Sequence, residues 1–300
     1  MDILLSLAAI VLFPSGLFLL AAGLAYEWID RKILARLQNR VGPRWFQPLA
    51  DAVKLFTKEE IVPEGVNAAL FYLLPVIALA GPLTAALYIP VASAGPALSF
   101  PGDLIVTIYL LSLLTLCMGL AGANSRSRFS IIGATRALTQ LFSYEAPFLL
   151  ALLGPAIAAG SWQISEILGY TNQNWLLFTQ PVGFIIAIIG LIGKLELPPF
   201  DAPEAETEIV AGALTEYSGR GLALFHLGKV SELVLGLTLV AAFYLGGVAT
   251  PIDFFLKTLT LLFLLAGIQA LMARLRIDQT VGLWWRYGAL LVVVQWFVLV

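Results

Sequence analysis

The chain has 300 residues, of which 60% are hydrophobic and 12% are charged, and its mean hydropathy is +0.91. A soluble domain carries about twice that share of charged residues, so much of this chain is expected to face lipid. The net charge of −2 argues against a nucleic-acid partner. One cysteine and one histidine cannot hold an iron–sulfur cluster or a structural zinc, so no redox centre or other cofactor is expected on this chain.

Eight apolar runs of membrane-spanning character follow one another along the chain. They predict an all-α, polytopic integral membrane protein with about eight transmembrane helices, forming one membrane domain over residues 1–300. The runs are Ile3–Tyr26, Ala69–Ala92, Leu104–Ala121, Glu145–Gly160, Val182–Leu197, Leu222–Gly246, Phe254–Ala273 and Val281–Val300.

Positive charge is distributed unevenly between the connections. All but two of the 17 Lys and Arg residues fall in alternate connections, whereas loops 90–103, 161–181 and 247–253 contain none. The basic residues are Arg31, Lys32, Arg36, Arg40, Arg44, Lys54 and Lys58 in the first connection, then Arg126, Arg128 and Arg136, then Lys194 and Arg220, and last Arg274, Arg276 and Arg286. The positive-inside rule therefore places the basic connections in the cytoplasm and both termini outside.

The first basic connection contains an amphipathic pattern. Leu49, Val53 and Phe56 recur at helical spacing, with Asp51 and Lys54 on the other side. This pattern predicts a short amphipathic helix lying in the membrane interface. The connection serves either to fix topology alone or to dock a cytoplasmic partner.

The connection before the sixth run is acidic. Asp201, Glu204, Glu206, Glu208 and Glu216 lie within sixteen positions beside a membrane span. If the stretch is helical, the first, second and fourth of these share one face, where like charge and burial favour proton binding near neutral pH. The alternative is that Asp201 and Glu204 only cap a helix.

Further ionisable residues lie within predicted spans. Glu145 starts the fourth run, and His226, Lys229 and Glu232 follow one another at about one-turn spacing in the sixth. A charge inside a span costs at least about 2.5–3.5 kcal/mol, which makes each a candidate for function. The alternatives are a buried Lys229–Glu232 pair that only fixes packing, and a structural hydrogen bond for His226.

These segments, in this order, closely resemble the subunit-1 family of respiratory complex I, which is the H-type membrane subunit of NADH-quinone oxidoreductase. That family includes the equivalent membrane subunit of energy-converting, membrane-bound nickel–iron hydrogenases. The resemblance runs nearly end to end and is carried by DRKILARLQNRVGP, QPLADAVKLFTKE, SIIGATRALTQLFSYE, PFDAPEAETEIVAG, EYSG and RIDQ.

The resemblance implies a non-redox membrane subunit of an ion-translocating oxidoreductase in a prokaryotic plasma membrane. Such a protein anchors a cytoplasmic electron-transfer arm and couples redox events to H⁺ or Na⁺ movement. The implied partners are arm subunits that carry iron–sulfur clusters, a catalytic large subunit with nickel–iron, antiporter-like membrane subunits and the lipid bilayer. The implied coupling residues are Glu145, Asp201, Glu204, Glu206, Glu208 and Glu216, with Lys229 and Glu232 beside them. The implied junction residues are Arg31, Lys32, Arg36, Arg40, Arg136, Arg274, Arg276 and Asp278.

Two departures from the quinone-using members favour the hydrogenase side of the family. Only Arg44, Trp45 and Phe46 separate Pro43 from Gln47, where those members have a longer stretch. Position 229 is a lysine where they have an acid. The sequence therefore favours a ferredoxin-dependent hydrogenase-type complex. A quinone-reducing or sulfur-reducing relative stays open, as do a free-standing cation transporter and a purely structural anchor.

Overall fold

The computed structural model describes residues 8–91 and 95–299, and this part of the chain is built from helices joined by turns. The helices of the first half are α1 (Gly16–Leu37), α2 (Gln47–Thr57), α3 (Ala68–Ala85), α4 (Asp103–Asn124) and α5 (Arg128–Ala159). Those of the second half are α6 (Ile164–Thr171), α7 (Leu176–Thr179), α8 (Pro181–Lys194), α9 (Glu206–Ile209), α10 (Gly219–Tyr244), α11 (Pro251–Leu271), α12 (Ile277–Leu283) and α13 (Ala289–Leu299). A π-helical turn, Trp284–Gly288, joins the last two.

Six helical segments in the described residues are long and apolar enough to cross a membrane. They are Ala8–Leu37, which includes α1, and the helices α3, α4, α5, α10 and α11. The other two predicted runs correspond to the shorter α8 and to the broken segment from α12 to α13. The all-α, polytopic prediction is confirmed, although residues 3–7, 92 and 300 of the predicted runs lie outside the described residues.

Two helices extend well beyond their apolar runs. The first continues past Tyr26 to Leu37, so Arg31, Lys32 and Arg36 lie on a helix. Likewise, α5 begins at Arg128, which places Arg136 on the helix and Glu145 near its middle, not at its start. Hydropathy marks only the lipid-embedded part of a helix, and arginine, lysine and glutamate are good helix formers that continue it beyond the lipid.

The bundle is organised around α10, whose residues from Val230 to Tyr244 are almost all buried. It packs against α1, α2, α3 and α11 and also contacts α4 and α8. Close approach to α1 depends on Gly23, because a Cβ there would lie 2.9 Å from the Val230 carbonyl oxygen. Glu232 of α10 is thus held inside the protein, whereas Arg220 at the start of the helix is exposed.

The short amphipathic helix is present as α2. Its apolar residues Leu49, Val53 and Phe56 are all exposed, while Ala52 on another side is buried against the bundle. A helix that presents an apolar face outward beside membrane spans suits the bilayer interface or a partner surface.

Candidate functional site

The site begins where α8 ends inside the bundle. A helix of 14 residues spans about 21 Å, which is less than the ~30 Å of a bilayer's apolar core. The irregular turn 195–200 that follows must be enclosed by protein, because non-helical backbone is not stable against lipid. Lys194 and Glu196 are each only 4% exposed. The end of α8 therefore places a cation and a carboxylate inside the bundle.

The buried amide of Gln140 holds both ends of this turn. Its Nε2 donates to the carbonyl oxygen of Gly193 at 2.9 Å and to that of Phe200 at 2.7 Å. Gln140 lies on α5 and is 1% exposed. One side chain thus fixes the segment that carries Lys194 and Glu196.

Replacing Gln140 with Leu is expected to destabilise this turn. The Phe200 carbonyl loses its hydrogen-bond donor, which costs about 1–3 kcal/mol in a buried setting. The Gly193 carbonyl keeps the bond from the Glu196 backbone amide at 3.3 Å. The measurement is the melting temperature of the purified complex, with the exposed Gln173→Leu as the matched control. A Gln140→Leu complex that melts together with the control would contradict the role of the amide.

Lys194 forms a buried ion pair with Glu232 of α10. The Lys194 Nζ lies 2.9 Å from Glu232 Oε1, and the two side chains are 4% and 1% exposed. The same ammonium donates to the Leu111 carbonyl oxygen at 2.9 Å and lies 6.0 Å from the centre of the Tyr144 ring. Each charge neutralises the other in a place where an isolated charge is costly.

Lys229 is shared between two carboxylates. Its Nζ lies 2.9 Å from Glu196 Oε2 and also pairs with Glu204. The alternative of a Lys229–Glu232 pair is wrong, because each of these α10 residues meets an opposite charge from the end of α8 or the following turn. Two acids beside one cation form a cluster in which a single proton can be redistributed.

A second group of charges joins three helices near the basic end of α1. The His226 Nε2 on α10 lies 3.1 Å from Glu27 Oε2, which makes the structural hydrogen bond expected for this histidine. Glu27 also pairs with Arg31 one turn further along α1. Arg31 in turn lies 3.3 Å from Asp51 of the amphipathic helix α2. The histidine is thereby connected to a charged residue at the surface.

A cavity of about 270 Å³ lies between these two groups. Seven of its lining residues are ionisable: Glu27, Asp30, Arg31, Glu196, Glu204, His226 and Lys229. Ligand pockets for apolar molecules are lined mainly by hydrophobic and aromatic side chains. This lining instead suits water and small ions.

The acidic segment does not form one helix. It consists of a 3₁₀ turn, Ala202–Glu204, and the four-residue α9, with Ala205 between them. The predicted common face of Asp201, Glu204 and Glu208 is therefore wrong, as is the capping by Asp201, which makes no such bond. Each acid instead pairs with a different cation from another part of the chain, and these tertiary pairs override the local pattern.

Two of these pairs border a cavity of about 560 Å³. Arg274 donates from Nε to Asp201 Oδ1 at 2.8 Å and from Nη2 to Oδ2 at 2.5 Å. These hydrogen bonds raise the pKa of Arg274, so the fork stays charged. Arg136 Nη1 lies 2.7 Å from Glu208 Oε2. The remaining predicted junction residues on this cavity are Arg276 and Asp278, which lie 3.5 Å apart.

The other predicted residues lie apart from these clusters. Lys32, Arg36 and Arg40 lie at the basic end of α1, Glu145 is partly buried on α5, Glu206 is exposed and Glu216 is partly buried before α10. Within the described residues, none of them takes part in an ion pair. Their predicted roles stay predictions.

Four residues of these ion pairs are not among the predicted site residues. The charge pattern assigns Lys194 to a connection and Asp51 only to the amphipathic helix, and it gives Glu196 and Glu27 no role. A signal is present for three of them: Lys194 and Glu196 lie inside the predicted run Val182–Leu197, where a charge is costly. Glu27 stands four residues before Arg31, the spacing of an ion pair on one helix face.

Nearly the whole chain is matched in each comparison with known proteins. A family model described as NADH dehydrogenase matches residues 8–300. The H-type subunit of an NADH-quinone oxidoreductase from Carboxydothermus hydrogenoformans is 35% identical, over 95% of this chain and 85% of its own. An H-type subunit of the same enzyme from Geobacter metallireducens is also 35% identical, over 95% and 92%. A chain from the membrane-bound sulfane sulfur reductase, an archaeal respiratory membrane complex, matches with a TM-score of 0.87 over 98% of both chains at 24% identity, which shows a shared fold.

Proposed function

The chain belongs to the NADH dehydrogenase family, and we propose from this premise that it couples redox events to ion movement within a respiratory membrane complex. It is a membrane subunit of an NADH-quinone oxidoreductase-type complex, located in the plasma membrane as a multi-pass protein. In the proposed role it anchors a cytoplasmic arm of partner subunits on its basic face. Antiporter-like membrane subunits are the proposed partners within the bilayer.

The observation that carries this proposal is the series of charged groups that enters the bundle from α2. It leads from Asp51, Arg31 and Glu27 to the 270 Å³ cavity, and from there to the pairs of Lys229 and Lys194. Carboxylates and a histidine that face a polar cavity can accept and release protons, and carboxylates also bind Na⁺. Such a series has the composition that ion transfer requires.

The coupling step proposed for this site centres on Lys229. Because its ammonium is shared by Glu196 and Glu204, a proton added to one acid leaves the cation to the other. Arg274, which lines the 560 Å³ cavity, holds Asp201. Glu204 lies in the 3₁₀ turn that directly follows Asp201. A movement of the arm against this cavity would therefore shift Glu204 relative to Lys229 and change which acid holds the proton.

For the electron acceptor we propose a ferredoxin-dependent, hydrogenase-type complex. The short stretch between Pro43 and Gln47 and the charged lining of the cavity support this over a quinone-reducing complex. In this proposal the iron–sulfur clusters and a nickel–iron centre are carried by the partner subunits. Electrons then pass from a low-potential donor to protons in those subunits.

The test is the metal content of the intact complex, isolated in mild detergent through a tag on this chain. Nickel in stoichiometric amount alongside iron is the expected result and leads directly to an assay of hydrogen evolution. Iron without nickel would overturn the hydrogenase assignment and favour quinone or sulfur-compound reduction. Isolation of the chain alone, without cluster-bearing partners, would overturn the subunit role and favour a free-standing transporter.

A further inference from the structure

A third cavity, of about 380 Å³, lies on the outer side of the last helical segment. The inner side of this segment faces the bundle, where Trp284 and Gly288 are buried and α13 packs against α5 and α8. The cavity is lined by residues of α12 and of the π-helical turn that follows it, namely Asp278, Gln279, Gly282, Leu283, Arg286 and Tyr287. It therefore opens toward the surroundings of the protein and not toward the ion pairs of α10.

The lining carries an excess of positive charge. Arg286 is exposed and forms no ion pair within the described residues. The acid of the lining, Asp278, lies 3.5 Å from Arg276, which offsets its charge. Gln279 accepts from the Arg276 backbone amide at 3.1 Å through Oε1, so its Nε2 is free to donate. Together with the Tyr287 hydroxyl, the guanidinium and this amide provide the donors and the net charge that suit an anion.

Two aromatic side chains mark the level of this cavity as the membrane interface. Trp285 and Tyr287 stand on either side of Arg286 in the chain, and they are 56% and 60% exposed. Tryptophan and tyrosine are enriched at headgroup level, because each ring has an apolar body and a polar tip. The charged residues Arg274 to Asp278 precede this level, and α13, which contains no charged residue, follows it. Arg286 therefore lies at the depth of lipid phosphates.

An exposed apolar stripe leads from the cavity along α13. It begins in the lining with Leu283 and Tyr287 and continues, at spacings of three and four residues, through Leu290, Val294 and Phe297. Phe297 follows Tyr287 by ten positions, which is about 15 Å along a helix. This length is half of the ~30 Å apolar core of a bilayer. An acyl chain that follows the stripe would thus cross one leaflet while its headgroup occupies the cavity.

We propose that this cavity binds an anionic phospholipid, with its phosphate diester held by Arg286 and Gln279 and one acyl chain laid along the stripe. A guanidinium matches the geometry of a phosphate through two parallel hydrogen bonds, and basic pockets beside membrane-spanning helices bind anionic headgroups. A helix of a partner subunit would account for the apolar stripe alone. A lipid also accounts for the unpaired cation and for the interfacial aromatic residues. The proposal is independent of the ion-coupling role, since it rests on different residues.

Photo-crosslinking of the intact complex in proteoliposomes tests this proposal. The vesicles consist of phosphatidylcholine with a trace of phosphatidylglycerol that carries a diazirine at the end of one acyl chain. Crosslinks to Val294 and Phe297 are expected at about tenfold the yield at Phe263, because hydrogen bonds to a charged group retain the lipid. Phe263 on α11, which is 61% exposed, is the reference for ordinary lipid contact. The same diazirine on phosphatidylcholine is expected to label both helices alike.

Substitutions of Arg286 separate headgroup recognition from simple lipid contact. Arg286→Gln is expected to lower the label on α13 to the level of Phe263, whereas Arg286→Lys keeps the charge and most of the label. Arg220→Gln, which removes an exposed cation at the start of α10, is the matched control and is expected to leave the label unchanged. The label on Phe263 reports whether each variant is folded and inserted. An unlabelled α13 in the unmodified complex would show that a partner covers the stripe and would overturn the proposal. Equal labelling of α13 by the two lipids, or an unchanged label in Arg286→Gln, would overturn it as well.

Discussion

Replacing Glu232 with Leu is expected to destabilise the complex more than any other single substitution considered for this chain. The change leaves the Lys194 ammonium, which is 4% exposed, without its counter-charge at 2.9 Å. Breaking a buried ion pair from one side costs about 3–5 kcal/mol, because the remaining charge stays buried and unpaired. The measurement is the yield and melting temperature of the detergent-extracted complex.

The double variant Lys194→Met, Glu232→Leu distinguishes a pairing effect from a packing effect. Replacing both members of a buried pair by apolar residues is often neutral or stabilising, so assembly and melting temperature are expected to recover. Glu166→Leu, on the exposed surface of α6, serves as the control for the substitution itself. A double variant as unstable as Glu232→Leu alone would show that the loss comes from packing and not from the unpaired charge.

Replacing Glu204 with Gln is expected to abolish ion translocation while electron transfer continues. The amide cannot hold a negative charge, so the Lys229 ammonium is left to Glu196 alone and the exchange between the two acids is lost. The number of ions moved per electron is expected to fall by about tenfold or more, since a positioned proton-transfer group typically contributes at least about 10²-fold to a rate. The measurement is ion uptake by proteoliposomes that contain the purified complex.

Glu64→Gln is the matched control, since this acid lies in the connection between α2 and α3, is exposed, and has no ion-pair partner within the described residues. It is expected to translocate ions as the unmodified complex does. Assembly kept and pumping lost in Glu204→Gln would exclude a purely structural anchor. Normal pumping by Glu204→Gln would refute the coupling role of the shared lysine.

The fold could be predicted further than the site. Hydropathy and helical periodicity located the apolar runs and α2, because both are local properties of the chain. They placed Lys229 and Glu232 inside a helix but could not supply their partners, since Glu196 and Lys194 come from a different helix end. Pairing depends on how α8 and α10 pack, and this information is distributed over the whole bundle.

The conformation of the acidic segment could not be predicted from its local pattern either. A helical interpretation places Asp201, Glu204 and Glu208 on one common face. The structure instead pairs Glu204 with Lys229 at one cavity, whereas Arg274 and Arg136, the partners of the other two acids, line a different one. The tertiary ion pairs decide its conformation. The predicted place of Lys194 in a connection is wrong for a related reason. A basic residue at the end of an apolar run indicates a membrane boundary only if the helix is long enough to reach one, and α8 is too short.

The order of the broken helix and α10 along the chain has a consequence for biogenesis. Lys229 and Glu232 make the insertion of α10 into the bilayer costly, because a charge that stands alone inside a span costs about 2.5–3.5 kcal/mol. Because α8 and its turn are synthesised first, Lys194 and Glu196 are already present when α10 leaves the ribosome. We therefore expect the nascent helix to enter lipid with these two charges matched, so that the short α8 assists the insertion of α10.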